Sequence, residues 1–397
     1  MLRVVRFLLV LLLAPLSLLT LCFAVELFTG LRALREPVHG PSSKDERAVI
    51  VVPAHNEEAI LAERLSALRE AAEGQARILV VADNCSDSTA EIARHIGVDV
   101  VERTNPELRG KGFALDFARR ELERDPPDVV LIIDADCKTD RQSIALLVST
   151  CATTGEPCQA TNIQIPSASS SPAVKLSTFA FFVKNVIRQR ALQRLAGRVH
   201  LLGTGIALPW TDFAAAQLAT ADIVEDLKLG QELAEAGRPP RFVERAMVWS
   251  NAETERNTLS QRRRWEGGFL RNAFSSGPAM LDRSMKRGEM RSMWAAVNIM
   301  IPPFALLLLI DFAGLALGTV TVLFGGGSWW PVALLATTVL LSGAGLIGAW
   351  AAGGYRFVSL GDLARAPLYL AWKLPVYLGF ARHGAPKDWK RTDRSAV

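Results

Sequence analysis

The sequence predicts an α/β protein, a mainly parallel sheet covered by helices on both faces, with apolar helices at either end of the chain. Three observations lead there. From 48 to about 155, short apolar runs alternate with polar stretches of helical spacing. Residues 7–25 carry no charge, close to the roughly 20 apolar residues that a membrane-spanning helix needs. Two further long apolar runs, 294–324 and 332–352, lie near the other end.

Composition agrees with this split. The 397 residues suffice for one sizeable globular domain plus membrane elements. Half are hydrophobic, yet 21% are charged, so the charges must be concentrated outside a bilayer. The net charge of +5 is modest and no long basic block with interleaved aromatics occurs, which argues against nucleic acid and leaves anionic lipid headgroups and phosphates as partners. Five scattered cysteines form no CxxC pair, which fits a reducing compartment better than a disulfide framework or a zinc site.

Taken in order, the first apolar stretch is preceded by Arg3 and Arg6 and followed by Arg32 and Arg35. A cleavable signal peptide also starts with basic residues, but its apolar core is shorter, about 7 to 15 residues, so the length favours a retained anchor over residues 1–30. Residues 31–47 read as a linker. Strands are expected at 48–53, 78–81, 100–101 and 129–133, and helices at 60–71, 88–96 and 112–123. In a sheet of this kind ligands bind beyond the carboxyl ends of the strands, which gives weight to Asn56, Asp83 and Asp134. A helix with a mixed basic face follows at 179–195, and an amphipathic one at 223–236. The sheet domain is taken to extend over 48–280, with 281–397 holding apolar and interfacial helices. Pro302-Pro303 marks a bend before a spanning helix, and Gly325 to Pro331 a turn with interfacial aromatics. The run 368–380 contains Lys373 and Pro375 and suits the membrane interface better than a span. The basic stretch 387–394 fits the cytosolic side, to which two C-terminal spans would return it.

Several short motifs carry chemistry, each with a plain structural alternative. Pro53 to Glu58 follows the first strand and reads either as a ligand loop or as a strand end with a helix cap. Asp83 to Thr89 offers a carboxylate able to accept from a nucleobase imide or a ribose hydroxyl, or else simply caps a helix. Arg109-Gly110-Lys111-Gly112 places a flexible cation between glycines; it lacks P-loop spacing, and a solvated basic turn is the alternative. Asp134-Ala135-Asp136 puts two acids on a loop after a buried strand, a repulsion that Mg2+ or Mn2+ on a diphosphate relieves. Glu225-Asp226 opens a helix, where the dipole favours acids and a catalytic base would also be well held. Gln261-Arg262-Arg263-Arg264-Trp265 combines guanidinium groups able to grip diphosphate with an indole able to stack on a sugar; a lipid-facing basic stripe is the alternative.

In this order these motifs resemble membrane-bound family 2 glycosyltransferases, the group that includes cellulose, hyaluronan and poly-N-acetylglucosamine synthases and ceramide glucosyltransferases. The resemblance covers about 48–271 and rests on Pro53 to Glu58, Asp83 to Asp87, Asp134-Ala135-Asp136, Glu225-Asp226 and the Q-x-x-R-W pattern at Gln261, Arg264 and Trp265. It implies a GT-A, Rossmann-like domain on the cytosolic side of a membrane, for which a bacterial inner membrane is expected. It further implies that Asp83 and Asp87 contact uridine, with Pro53, Ala54 and Glu57 lining the same pocket and Lys111 near the nucleotide. Asp136, assisted by Asp134, would hold Mg2+ or Mn2+, and Asp226, beside Glu225, would be the catalytic base. Gln261 and Arg264 would hold diphosphate, Trp265 would face the acceptor, and Gly203-Thr204-Gly205 matches a loop near the acceptor sugar. Asn84-Cys85 departs from the Asp-Gly of many relatives.

The implied reaction is inverting transfer from a UDP-sugar to a lipid-linked or otherwise membrane-associated acceptor. About three spans are few for a translocation channel in one subunit, which favours single addition over processive synthesis, although subunits can associate into oligomers. A nucleotide-sugar-binding protein without catalysis is the reading from another class, and the retained acids argue against it.

Overall fold

The computed structural model describes residues 2–35, 46–325 and 328–384. Part of the expected linker, two glycines of the Gly325 to Pro331 turn and the basic stretch 387–394 lie outside the described residues. Contacts divide the chain into two compact units: 2–32, 169–196 and 269–384 form one, while 33–35, 46–168 and 197–268 form the other. Residues 169–196, expected within the sheet domain, thus cluster with the terminal helices.

In the sheet unit the strands are β1 (Ala48–Ala54), β2 (Arg77–Asp83), β3 (Asp99–Arg103), β4 (Val129–Ile132), β5 (Lys138–Thr139), β6 (Cys158–Ile165), β7 (Ile206–Pro209) and β8 (Arg241–Asn251). Their order is β3-β2-β1-β4-β7-β6-β8-β5. The first four are parallel and β6 pairs in parallel with β8, whereas β7 runs antiparallel to β4 and β6, and β5 antiparallel to β8. The sheet is mixed and mainly parallel, as expected, and the four strands expected over 48–133 are all present.

Alternate residues of the parallel strands feed two cores, the period-two consequence of strand geometry. Ile50, Val52, Val80 and Leu131 pack with Leu61, Leu65, Ile144 and Leu147, drawn from the helices Glu58–Ala72 and Arg141–Thr154. Val49, Val51, Val81 and Ile132 face the other way, onto Ala114, Leu115 and Ala118 of helix Lys111–Leu122 and onto Leu229 of helix Glu225–Glu235. Each such buried aliphatic side chain contributes roughly 1.5 to 3 kcal/mol, so two-sided burial anchors the strands firmly. Strand order reverses at β1, which has β2 on one side and β4 on the other, and this is the topological position where sheets of this class bind ligands.

Among the described residues, the second unit holds three helices long and apolar enough to cross a membrane: Phe7–Gly30 of the N-terminal helix, Phe304–Gly325 and Trp330–Ala351. The bend expected at Pro302-Pro303 separates helix Met290–Met300 from Phe304–Gly325. Helix Ala366–His383 contains Pro375 and is not among the three. Where one helix was expected over 179–195, there are Pro172–Phe182 and Arg188–Ala196, joined by a π turn at Val183–Ile187. The first helix presses close there: a Cβ on Gly30 would lie 1.9 Å from the Ile187 carbonyl oxygen.

Several buried polar groups within this unit pair with one another, as low-dielectric surroundings favour. Thr20 donates to Asp311 at 2.8 Å. Arg188 donates to Glu26 at 2.6 Å and to the Asn298 carbonyl at 3.2 Å, while the Asn298 amide donates to Glu26 at 2.6 Å. Arg190 and Arg194 reach the Gly30 and Thr29 carbonyls, among the last four of the helix, which lack intrahelical donors. Because a stranded buried charge is worse than an absent pair, Arg188→Met should cost about 3 to 5 kcal/mol, and adding Glu26→Leu should restore part of that loss. Thermal unfolding in detergent checks this; equal or greater loss in the double variant would refute it.

Candidate active site

The carboxyl ends of β1, β2 and β4 carry the residues singled out by motif. Pro53 and Ala54 end β1, Asp83 ends β2, and Asp134 stands two residues beyond β4. Because β7 is antiparallel and pairs Ile206 with Ile132, the loop Gly203-Thr204-Gly205 that leads into it arrives at the same end. The Thr204 hydroxyl accepts from the Asp134 backbone N–H at 3.1 Å, and Gly205 N–H donates to the Ile132 carbonyl at 2.9 Å. At Gly205 the backbone has φ +67°, and a Cβ would come within 2.9 Å of both Ala160 and Val248, so only glycine fits.

The loops after β1 and β2 are laced together. Asn56 and Asn84 both adopt left-handed backbone, at φ 54° and 51°, a region asparagine tolerates best after glycine. Asn56 Oδ1 accepts from Ser86 N–H at 2.7 Å, Glu57 N–H donates to the Thr89 hydroxyl at 2.8 Å, and His55 Nδ1 lies 2.7 Å from the Asp83 carbonyl. Asp87 is deeply engaged in this lacing: one oxygen accepts from the Thr89 N–H and hydroxyl, the other from Glu58 N–H. Asp87 thus takes up first-turn N–H groups of the helices Thr89–Ile96 and Glu58–Ala72, whereas Ser88, the N-cap of the former, makes no side-chain capping bond, and Asp83 carries a different partner, Arg103.

A second group gathers around Lys111, the first residue of its helix. Its ammonium bonds Asp134 and donates to the Gly203 carbonyl at 2.6 Å. Gly112 is required beside it, because a Cβ would meet the Leu218 and Thr220 carbonyl oxygens at 2.4 and 2.7 Å. Lys111, Gly203, Leu218, Thr220, Glu225 and Asp226 line one cleft. A Cβ built on Gly203 would stand 3.5 Å from Asp226 Oδ2 and 3.9 Å from Lys111 Nζ, which measures how closely these groups converge. Burial pulls the Lys111 pKa down, but the charges of Asp134, Glu225 and Asp226 outweigh it and leave the ammonium more firmly protonated than an ordinary lysine. Burial, reinforced by the Asp226 charge and opposed by Lys111, pushes the Glu225 carboxyl up to about 8.

Asp134, Asp136 and Cys137 each bring one potential ligand atom within 4.8 Å of the others. Burial and the charges of Asp136 and Asp134 drive the Cys137 thiol well above its ordinary value, and it donates to Asp136 at 3.5 Å. Two of the three are carboxylates, hard oxygen donors suited to Mg2+ or Mn2+ shared with a diphosphate.

Gln261, Arg264 and Trp265 lie on the long helix Glu255–Arg287. Its approach to the acidic pair is set at Gly268, where a Cβ would come within 2.8 Å of Val224, the residue before Glu225. Arg264 lies one turn earlier, on the same face as Gly268. The buried guanidinium of this segment is that of Arg262, which donates to Gln164 at 2.8 Å and stands 5.3 Å over the Trp265 ring. Arg103, Cys137 and Gln164 were missed by motif reading. Arg103 ends a strand, so the strand-end rule could have found it; Gln164 belongs to a strand that periodicity did not reveal.

The family model described as glycosyltransferase like family 2 matches residues 46–268, more than half of the chain, and the chain belongs to that family. A mannosyltransferase from Pyrobaculum calidifontis, solved in complex with GDP-Man and Mn2+, aligns with a TM-score of 0.52 at 17% identity, covering 88% of this chain and 98% of that one, and so shares its fold. Glucosyl-3-phosphoglycerate synthase from Mycobacterium tuberculosis, in complex with Mn2+, UDP and glucosyl-3-phosphoglycerate, gives a TM-score of 0.39 at 18% identity over 60% of this chain and 85% of that one. An uncharacterized protein of Methanocaldococcus jannaschii is 38% identical over 94 residues, which span 24% of this chain and only 37% of that relative.

The raised Glu225 pKa has a signed consequence. Between the ordinary value of 4.5 and about 8 the unfolded chain has lost this proton and the native protein keeps it, so stability falls as pH rises through that window and levels off above it. Glu225→Gln should remove that slope, gaining on the wild type by at least about 1.4 kcal/mol, one pKa unit, between about pH 5 and about pH 8. Thermal unfolding without metal or nucleotide measures it, and identical pH slopes in the two proteins would exclude the retained proton.

Proposed function

We propose that the protein is an inverting, membrane-bound glycosyltransferase that moves a sugar from a UDP-sugar to a lipid-linked or otherwise membrane-associated acceptor, in bacterial surface polysaccharide or glycolipid synthesis. The observation that carries this reading is the convergence of Lys111, Gly203 and Asp226 in one cleft at the ligand-binding end of the sheet, with Asp134 bonded to the Lys111 ammonium. A cation for the leaving group, a candidate metal ligand and a carboxylate for the nucleophile are thereby within one substrate's reach. The GDP-Man and Mn2+ bound by the Pyrobaculum mannosyltransferase agree with a metal-assisted nucleotide-sugar donor.

In this reading Asp83 faces the nucleobase beside Pro53, Ala54 and Glu57, and Asp87 supports that loop through its capping bonds. Asp136 and Asp134 hold Mg2+ or Mn2+, which when bound supplies positive charge to the diphosphate. Asp226 accepts the proton of the acceptor hydroxyl as that oxygen attacks the anomeric carbon from the face opposite the leaving group. The bond from anomeric carbon to diphosphate oxygen breaks with its electron pair on the diphosphate, and the anomeric configuration inverts. Lys111 and Arg264, with Gln261, stabilise that developing charge, preorganised rather than recruited during reaction. Glu225, its carboxyl pushed up to about 8 by burial, stands next to Asp226 in the first turn of the same helix. Gly203 and Thr204 border the acceptor sugar, and Trp265 offers it an apolar face. The three apolar helices favour an acceptor arriving from a bilayer, and so few spans favour single addition over a processive synthase.

Asp226→Asn should lower transfer by at least about a hundredfold, the usual scale for a lost general base, while UDP binding measured by calorimetry persists. Undiminished turnover would remove the base assignment. Asp136→Ala should weaken metal-dependent donor binding, and full wild-type turnover in the presence of a chelator would remove the metal from the reaction.

A further inference from the structure

Asp83 and Arg103 end the adjacent parallel strands β2 and β3 and are partners in register. Arg103 Nη1 donates to Asp83 Oδ1 at 2.5 Å, with side-chain exposures of only 11% and 9%. The Asn84 amide donates to the same oxygen at 3.0 Å. Arg103 is held in place by a second bond, Nη2 to the Leu108 carbonyl at 2.9 Å, and by the Phe113 ring 5.5 Å below its guanidinium. Two donors thus use both lone pairs of Oδ1, and among the described residues none donates to Oδ2. Removing such a pair from water is costly and an apolar replacement is often no less stable, so stability is a poor reason for its presence at the ligand end of a sheet.

Resting on the proposal that Asp83 faces the nucleobase, we infer that Arg103 is the second half of a base-reading pair that selects uracil. Oδ2 of Asp83 accepts the ring imide N–H, and a remaining guanidinium N–H donates to the neighbouring ring carbonyl. Cytosine presents an acceptor and an amino donor at those two places, the opposite sign at both, and adenine has no carbonyl to offer. Guanine carries an N–H beside a carbonyl, but its 2-amino group then needs another acceptor, and Oδ1 is already filled by Arg103 and Asn84. Sites built on such paired hydrogen bonds discriminate strongly, because the wrong ligand leaves their buried polar groups unmatched.

Calorimetric titration of the full-length protein in detergent with UDP, CDP and GDP, each with Mn2+, tests this. UDP and CDP differ only at the edge in question, so their affinity ratio is blind to a general loss of structure. The wild type should prefer UDP over CDP by at least about a hundredfold, and over GDP. Arg103→Ala should weaken UDP about tenfold or more while sparing CDP, narrowing that ratio, and Arg103→Lys, which keeps one charged donor, should retain part of it. An unchanged ratio in Arg103→Ala, or equal losses for both nucleotides, overturns the role of Arg103, with Arg103→Lys deciding if the alanine variant does not fold. A wild type that binds GDP tightest overturns the choice of uracil. Asp83→Asn separates the two levels: if it too leaves the ratio unchanged, the nucleobase proposal itself fails, whereas a ratio lost there and kept in Arg103→Ala removes only the inference.

Discussion

A single ammonium, that of Lys111, sits among the carboxylates of Asp134, Glu225 and Asp226 and lets them gather at one end of the sheet. Without a cation, acids brought this close would repel or take up protons. Lys111 offsets part of that repulsion, and a proton retained on Glu225 offsets more. Gly110, at φ 131°, and Gly112, pressed against the carbonyls of 218 and 220, fix the turn that aims the lysine, so the basic turn serves the site by geometry as much as by charge.

The sheet decides which segments can join that cluster. Parallel strands place their following loops at one end, which accounts for Asp83 and Asp134. Gly203 and Thr204 come from far along the chain and join only because β7 reverses direction and starts where β4 stops. The strand β6, paired in parallel with β8, brings Gln164 to the helix that bears Arg262, and Gly268 sets how near that helix comes to Val224. The terminal helices bring opposite charges together instead: Glu26 accepts from both Arg188 and Asn298 in one buried network.

The first half of the sheet was legible because strands buried on both faces read as unbroken apolar runs, and each is followed by a helix of clear period. The run 48–54 differs from its expectation by a single residue at the end. The strand Cys158–Ile165 was not legible, although it is almost wholly buried, because Gln159, Thr161, Asn162 and Gln164 break its apolar signal. Each has a partner across the fold: Gln159 the Thr204 carbonyl, Thr161 that of Glu244, Asn162 that of Leu202 and Gln164 the Arg262 guanidinium. Partners separated by roughly 40 to 100 residues leave no local pattern to read.

The sequence by itself determined the α/β class, the apolar ends of the chain, the family resemblance and the acids worth watching, because these depend on periodicity, run length and motif order. Tertiary structure alone decided how those acids are used. Asp83 and Asp87 look alike in the motif, yet Asp87 is tied into helix capping while Asp83 pairs with Arg103 on the next strand. Likewise the motif marks Arg264 among three consecutive arginines, and only the packing of one helix face shows that Arg262 is the one buried against Gln164 and Trp265. The reason is the same in both cases: a charged side chain takes its role from the partner that desolvation forces on it, and that partner is chosen by the fold.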